Sequence, residues 1–371
     1  MARLHVLYCI EAMVHGGTEK QLAELIRGFD RRRVEPSLCV LKPSSMDVRA
    51  LDCAVLQLGF RTFRSTAALG CLRRLRAFML AGRVDIVHTY FQDPTLLGWL
   101  ASIQTPVRAR VAAFRDMGFW RTPAKVAQLR LAYPFFDGFI ANSAAVANQA
   151  HELDRIPLDK IEVIPNGVRV GPLPARPGRS RRPVVGIVAN LDRPVKRVDL
   201  FLRAARLVRQ AVGEVEFVVI GEGHLRPALT REAGALGILD AVRFLGSVQD
   251  VAAELQRIDV GVISSDSEGL SNSILEYMAA AVPTVARAVG GNGELVQDGE
   301  TGRLVDDDSP ESLAGAIVGL LRDESGRSRM GARARQFAEE RFSTAAYVAR
   351  HEQYYARLLA ATGPRLAGKA S

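Results

Sequence analysis

At 371 residues with 48% apolar side chains, the chain is too long for one ordinary core and has the composition of two globular domains. Its net charge of +9 sits mostly in residues 1–170, where 23 Lys and Arg face 15 Asp and Glu, against 26 and 25 in the rest. That asymmetry favours an anionic partner for the first half over a merely solvated basic surface, and no apolar run is long enough to span a bilayer as a helix.

The first apolar run, LHVLYCI, is short and is followed by Glu11, so it reads as a strand and not as a signal peptide. Gly16 and Gly17 then open a helix at Thr18, which continues through EKQLAELIRGF. PSLCVLK predicts a second strand. LGCLRRLRAFML predicts a helix, with Leu69, Leu72, Leu75 and Met79 at helical spacing and Arg73, Arg74 and Arg76 between them. DIVHTY, ARVAAF and GFIAN read as further strands. Residues 171–183, GPLPARPGRSRRP, lack periodicity and read as a linker. Beyond it, VVGIVAN, EFVVIG, VRFLG, DVGVIS and PTVAR read as strands, with VDLFLRAARLVRQA and SPESLAGAIVGLLR as helices. Residues from about 363 read as a disordered tail.

Strand–helix alternation of this kind means parallel sheets with helices on both faces. The expected fold class is α/β, with doubly wound domains at 1–170 and 184–345. Residues 346–371 would form a C-terminal helix and tail, the helix able to cross back to the first domain. Ligands in such sheets bind beyond the carboxyl ends of the strands, so facing domains would place a cleft there. The four cysteines, Cys9, Cys39, Cys53 and Cys71, have no CxxC spacing and read as thiols of a reducing cytoplasm. The six histidines are scattered and suggest no zinc site.

After the strand DVGVIS comes SDSEGLSNSILEYMAAAVPTV, with Glu268 in a loop and Glu276 on the next helix. The first turn, Ser271, Asn272 and Ser273, is rich in capping residues, and Ser273 with Glu276 fits a capping box. Free backbone N–H groups and the positive dipole end of such a helix suit a diphosphate. Glu276, one turn in, leans back toward that end and can accept from the vicinal hydroxyls of a ribose. The competing reading is that Glu276 only completes the cap and Glu268 is a solvated charge.

The longer stretch EGLSNSILEYMAAAVPTVARAVGGNGELVQDGETGRLV, 268–305, resembles the E-x7-E signature of the retaining glycosyltransferases of family 4, which have a GT-B fold. The resemblance implies that Glu276 binds the ribose of a nucleotide sugar and that Glu268 meets hydroxyls of the donor sugar. It implies that amides around Gly269, Leu270, Ser271 and Asn272 meet sugar or phosphate. VANLDRPVKRVDLFLRAA, 188–205, looks like the family's loop and helix with a phosphate-binding Lys, here Lys196. The family often has an Arg early in this loop where this chain has Asn190, and Arg193 stands as a substitute. VHGGTEKQL resembles the family's GG-x-E loop, in which Gly16 and Gly17 let the backbone approach donor phosphates or acceptor.

His88 in DIVHTYFQD and Arg115 in RVAAFRDMGFW fall at expected strand ends and are assigned to the acceptor side. The family often has a His at the latter position, so Arg115 implies an acceptor-phosphate or electrostatic role instead. Asp306, Asp307 and Asp308 precede a Ser-Pro helix start and read as a cap, not as a metal-binding DxD. The resemblance implies no obligatory metal and no cofactor beyond the nucleotide-sugar substrate, UDP- or GDP-linked. Aromatics mixed with Arg121, Lys125 and Arg130 at 114–136 suit a peripheral membrane surface.

The expected function is therefore sugar transfer from an NDP-sugar to a lipid-linked or glycan acceptor in surface polysaccharide or glycolipid assembly. The expected location is cytoplasmic, peripheral on the inner membrane face, with no nucleic-acid partner. Two alternatives share the pattern: a UDP-sugar 2-epimerase, and a non-catalytic membrane- or anion-binding module that would survive loss of Glu268.

Overall fold

The computed structural model describes residues 3–118, 121–173, 182–248 and 250–362. The chain divides into two compact units, Met1–Gly167 with Thr344–Ser371, and Val168–Ser343. Most of the expected linker (174–181), the tail from 363, and Phe119 and Trp120 of the aromatic-basic segment lie outside the described residues.

In the first unit, β1 (Leu4–Ile10), α1 (Gly17–Gly28), β2 (Val34–Val40) and β3 (Ala54–Gln57) lead to α2 (Ala67–Ala81) and β4 (Ile86–Tyr90). Then follow α3 (Gln92–Ser102), β5 (Ala109–Phe114), α4 (Pro123–Ala132), β6 (Gly138–Ala141), α5 (Ala144–Asp154) and β7 (Ile161–Val163). The strands form one parallel sheet in the order β3-β2-β1-β4-β5-β6-β7. Successive β1 side chains feed opposite faces, as the strand period of two requires. Val6, Tyr8 and Ile10 meet Leu22, Leu25 and Ile26 of α1, while Leu7 and Cys9 meet Leu75 and Met79 of α2. Both faces are therefore apolar, which is why β1 reads as a continuous hydrophobic run.

The second unit runs β8 (Val184–Val188), α6 (Val198–Val212), β9 (Glu216–Ile220), α7 (Arg226–Ala235), β10 (Val242–Gly246) and α8 (Val251–Leu255). It continues through β11 (Val260–Ile263), α9 (Asn272–Ala279), β12 (Thr284–Arg287), α10 (Asn292–Leu295), β13 (Gly302–Val305), α11 (Pro310–Arg322) and α12 (Glu324–Arg341). Its parallel sheet has the order β10-β9-β8-β11-β12-β13. In α6 the buried Val198, Phe201, Leu202, Ala205 and Val208 fall on one stripe, and Gly213 at φ +87° ends the helix. α11 starts as read, with the Ser309 hydroxyl accepting from the Ser312 N–H and Pro310 in the first turn. Full burial of each large apolar side chain in these cores contributes roughly 1.5–3 kcal/mol.

The last helix, α13 (Thr344–Thr362), belongs to the first unit and packs on α1 and β5. Tyr347, His351, Tyr354 and Tyr355 on it are buried against the sheet. No helix among the described residues is long and apolar enough to cross a membrane.

Candidate active site

In the second sheet the strand order reverses between β8 and β11. The chain leaves β8 toward β9 on one side and β11 toward β12 on the other, so the loops after these two strands part and leave a crevice at their carboxyl ends. Lys196 lies on the first loop and Glu268 on the second. The Lys196 ammonium donates to Glu268 Oε1 at 2.7 Å, and the Ser265 hydroxyl donates to the same oxygen, also at 2.7 Å.

The two loops are stitched together at several points. Ser264 Oγ lies 3.0 Å and 2.8 Å from the carbonyl oxygens of Lys196 and Arg197. The Asp266 N–H donates to the Val195 carbonyl at 2.9 Å. Arg197, at φ +48°, sends its guanidinium to Asp199 at 3.2 Å and to Asp266 at 3.0 Å, and Arg287 adds a second cation on Asp266. Arg193 accepts the Lys196 N–H on its own carbonyl at 3.1 Å, and Asn190 Oδ1 accepts the Asp192 N–H at 2.8 Å. Both therefore shape the β8 loop.

A third loop closes over Glu268 from behind. Gly290 has φ +53°, and a Cβ there would fall 1.7 Å from the Glu268 carbonyl oxygen. The Gly291 N–H donates to the Gly269 carbonyl at 3.1 Å. The glycine pair after β12 is thus a steric requirement of the Glu268 turn.

α9 begins at Asn272, with Ser271 in extended backbone before it and no side-chain cap bond from Ser271. The expected capping box is corrected here. Ser273 lies inside the helix, and its hydroxyl donates to the Val188 carbonyl of β8 at 3.1 Å. Tyr277 does the same toward Gly186 at 2.9 Å. Two hydroxyls thus dock α9 on β8, and the first-turn amides stand at the carboxyl end of the sheet. Leu270 and Ser271 are buried, Gly269 is buried in the same turn, and Glu276 is half-buried one turn into α9.

Two family models cover most of the chain: "Glycosyltransferase Family 4" over residues 15–171 and "Glycosyl transferases group 1" over residues 182–323. The chain is a family 4 glycosyltransferase. The transferase is 28% identical to the phosphatidyl-myo-inositol mannosyltransferase of Mycobacterium leprae, across 85% of this chain and 86% of that one. It is 28% identical to the D-inositol 3-phosphate glycosyltransferase of Thermobispora bispora, across 77% and 73%. Among solved structures, Anabaena HepE in complex with UDP and glucose matches at a TM-score of 0.83 and 19% identity, over 96% of this chain and 100% of that one. That likeness shows the GT-B fold.

In the first unit of this glycosyltransferase, Gly16 precedes α1 and Gly17 is its first residue. A Cβ on Gly16 would lie 2.3 Å from the Glu19 carboxylate, so the near neighbour of that glycine is the enzyme's own side chain. His88 requires a correction. It lies in the middle of β4, paired with Tyr8 and Val111, and has no exposed surface. Its Nδ1 meets the Tyr355 hydroxyl at 2.7 Å, and its ring stacks 4.9 Å from Tyr90. Burial, then His351 and Arg115, holds its imidazole well below the usual range. A group sealed under α13 touches no acceptor, and its role is in the core.

Arg115 stands at the end of β5, buried to 9% exposure, with one guanidinium nitrogen on Asn166 Oδ1 at 2.5 Å. Its carbonyl accepts from Asn142 at 3.0 Å, and its Nε is buried without a hydrogen-bond partner. Asp307 binds Ser309 and Ser312, which accounts for that carboxylate as part of a cap. A concavity of about 940 Å³ opens beside β13, α11 and α12, and neither Glu268 nor Lys196 lines it.

The residues that sequence reasoning missed are Ser264, Ser265, Arg197, Asp266 and Arg287. The SSDSE run before the turn was the available signal for three of them, since short hydroxyl and carboxylate side chains there can bond back to neighbouring loops.

Proposed function

We propose that this enzyme transfers a hexose, with retention, from a nucleoside-diphosphate sugar to an acceptor that is lipid-linked or a glycan, in surface polysaccharide or glycolipid assembly. The observation that carries the reading is the pairing of Lys196 with Glu268 at 2.7 Å beside the start of α9, with Glu276 one turn in. In this reading Glu276 accepts from the ribose hydroxyls, the α9 amides and Lys196 neutralise the diphosphate, and Glu268 meets the sugar. As the glycosidic bond to the diphosphate breaks, Lys196 stabilises the leaving charge while the anomeric carbon becomes oxocarbenium-like. The acceptor hydroxyl then attacks on the face the diphosphate has left, passing its proton toward that phosphate.

The acceptor in this reading is anionic. The first unit holds 26 Lys and Arg against 16 Asp and Glu, a charge of +10, and the second holds 23 against 24, a charge of −1. Both relatives described above act, by name, on inositols that carry phosphate. Arg115 at the end of β5 is the residue proposed to meet that charge. A membrane-borne acceptor also fits two exposed apolar side chains of this unit, Leu131 at 70% and Phe135 at 53%, which lie near Lys125 and Arg130 on α4 and the turn after it.

The deciding experiment is a thermal-shift screen with UDP, GDP, ADP and their common sugar conjugates. A ligand bound by the folded state alone raises the midpoint. One nucleotide should do so for the native enzyme and fail for Glu276→Ala. A shift that survives in the variant would remove the ribose assignment, and no shift with any nucleotide would remove the donor reading.

A further inference from the structure

A carboxylate can select one sugar only if its two oxygens are fixed in space, because each hydroxyl it recognises fixes a direction as well as a distance. Glu268 sits on a loop, so something must hold it. We infer that Ser265 is a positioning residue for donor-sugar recognition, acting through Glu268; this rests on the reading of Glu268 as the sugar contact.

Among the described residues two side chains donate to the Glu268 carboxylate, and both reach Oε1: Ser265 Oγ at 2.7 Å and Lys196 Nζ at 2.7 Å. Pinning one oxygen from two directions fixes the rotation of the carboxyl plane and leaves Oε2 as the oxygen that meets a ligand hydroxyl. The two donors differ in stiffness. Lys196 is a long chain whose side chain keeps a quarter of its surface exposed, and a diphosphate competes for its ammonium. Ser265 is 2% exposed and has a single rotatable bond before its hydroxyl. Its backbone is held at the end of β11, where Arg287 donates to its carbonyl at 3.3 Å and Ser264 Oγ ties the adjacent residue to the β8 loop. When Lys196 turns to phosphate, Ser265 remains on Oε1.

The test is calorimetric titration of the native enzyme, Ser265→Ala, Ser265→Thr and Glu268→Ala with UDP, GDP, UDP-glucose and GDP-mannose. The readout is the ratio of affinities for a sugar nucleotide and its bare nucleotide. Ser265→Ala should lower that ratio about tenfold, the scale of a lost hydrogen bond to a charged group. Affinity for the bare nucleotide should stay within about twofold, and Ser265→Thr should restore the ratio because it keeps the hydroxyl. A serine that only stabilised the fold would weaken both ligands together and lower the melting temperature. An unchanged ratio in Ser265→Ala with a collapsed ratio in Glu268→Ala overturns the Ser265 inference alone. An unchanged ratio in Glu268→Ala, or no binding of any of the four probes, overturns the reading of Glu268 and this inference with it.

Discussion

Lys196 serves Glu268 and, in the proposed reaction, the leaving diphosphate. Lys196→Ala should therefore lower kcat by about 10²–10³, the usual cost of losing one preorganised charge partner in a transition state. Lys196→Arg should recover part of the rate, and steady-state transfer from the nucleotide sugar would show both. Equal kcat in the alanine variant would take the leaving-group role away from this residue. Glu268 and Glu276 stood out in the sequence because they flank the start of one helix, and Lys196 because the loop before α6 resembles that of the family. The Arg197–Asp266–Arg287 network was not, since its members are 69 and 21 residues apart in the chain and only the sheet brings them together. His88 was misplaced for a related reason. A strand's period of two says that faces alternate, but not that a helix from the far end of the chain covers one of them.

At the scale of elements, the Glu268 turn depends on β12 and the glycines that follow it. Gly290→Ala forces a left-handed residue with a Cβ into the Glu268 carbonyl. Strain of about 1–3 kcal/mol is expected, with a melting temperature several degrees lower and sugar-nucleotide turnover lost together. Turnover retained at the native level would show that the turn tolerates rearrangement. The long buried strands were readable from their apolar runs, but β3 and β13 were not. Each stands at a sheet edge and is only partly buried, so it lacks the continuous apolar run that marks β6 and β11 at the same length. β13 also illustrates an edge closed by its own loop: Asp298 accepts from the Leu304 N–H at 2.9 Å, which removes an outward donor from the edge. The capping box was a wrong expectation because a Ser three residues before a Glu also fits a hydroxyl that docks a helix onto a strand, and the sequence does not distinguish them.

For the whole molecule, acid should act first on the first unit. His88 and His351 are both wholly buried there; burial lowers both imidazoles from 6.5, that of His351 to about 3. Below 6.5 the unfolded chain takes up a proton at each site, while burial holds both imidazoles of the folded chain neutral to lower pH. The contribution of these two histidines is therefore complete well above pH 6.5 and is lost as the pH drops, for His351 by about 1.4 kcal/mol per pH unit. Both tryptophans, Trp99 and Trp120, belong to the first unit, so their fluorescence reports its unfolding. Its urea midpoint should decline between pH 6.5 and 5; a flat midpoint across that window would contradict the burial of both rings. The same unit's charge of +10 predicts flotation with anionic vesicles at low salt and release as salt is raised. Failure to float at low salt would remove the membrane part of the proposal.

The sequence by itself determined two parallel α/β sheets and two carboxylates eight residues apart, one in the loop after β11 and one on the helix that follows, because apolar runs and turn residues act over a few positions. Only the tertiary structure decided which side chains hold the first of them, Glu268. It set Ser265 and Lys196 on one oxygen of Glu268, folded α13 over His88, and put the Arg115 guanidinium on Asn166. Those choices depend on strand order and on residues up to 267 positions apart, and hydrogen-bond partners at that separation leave no local periodicity to read.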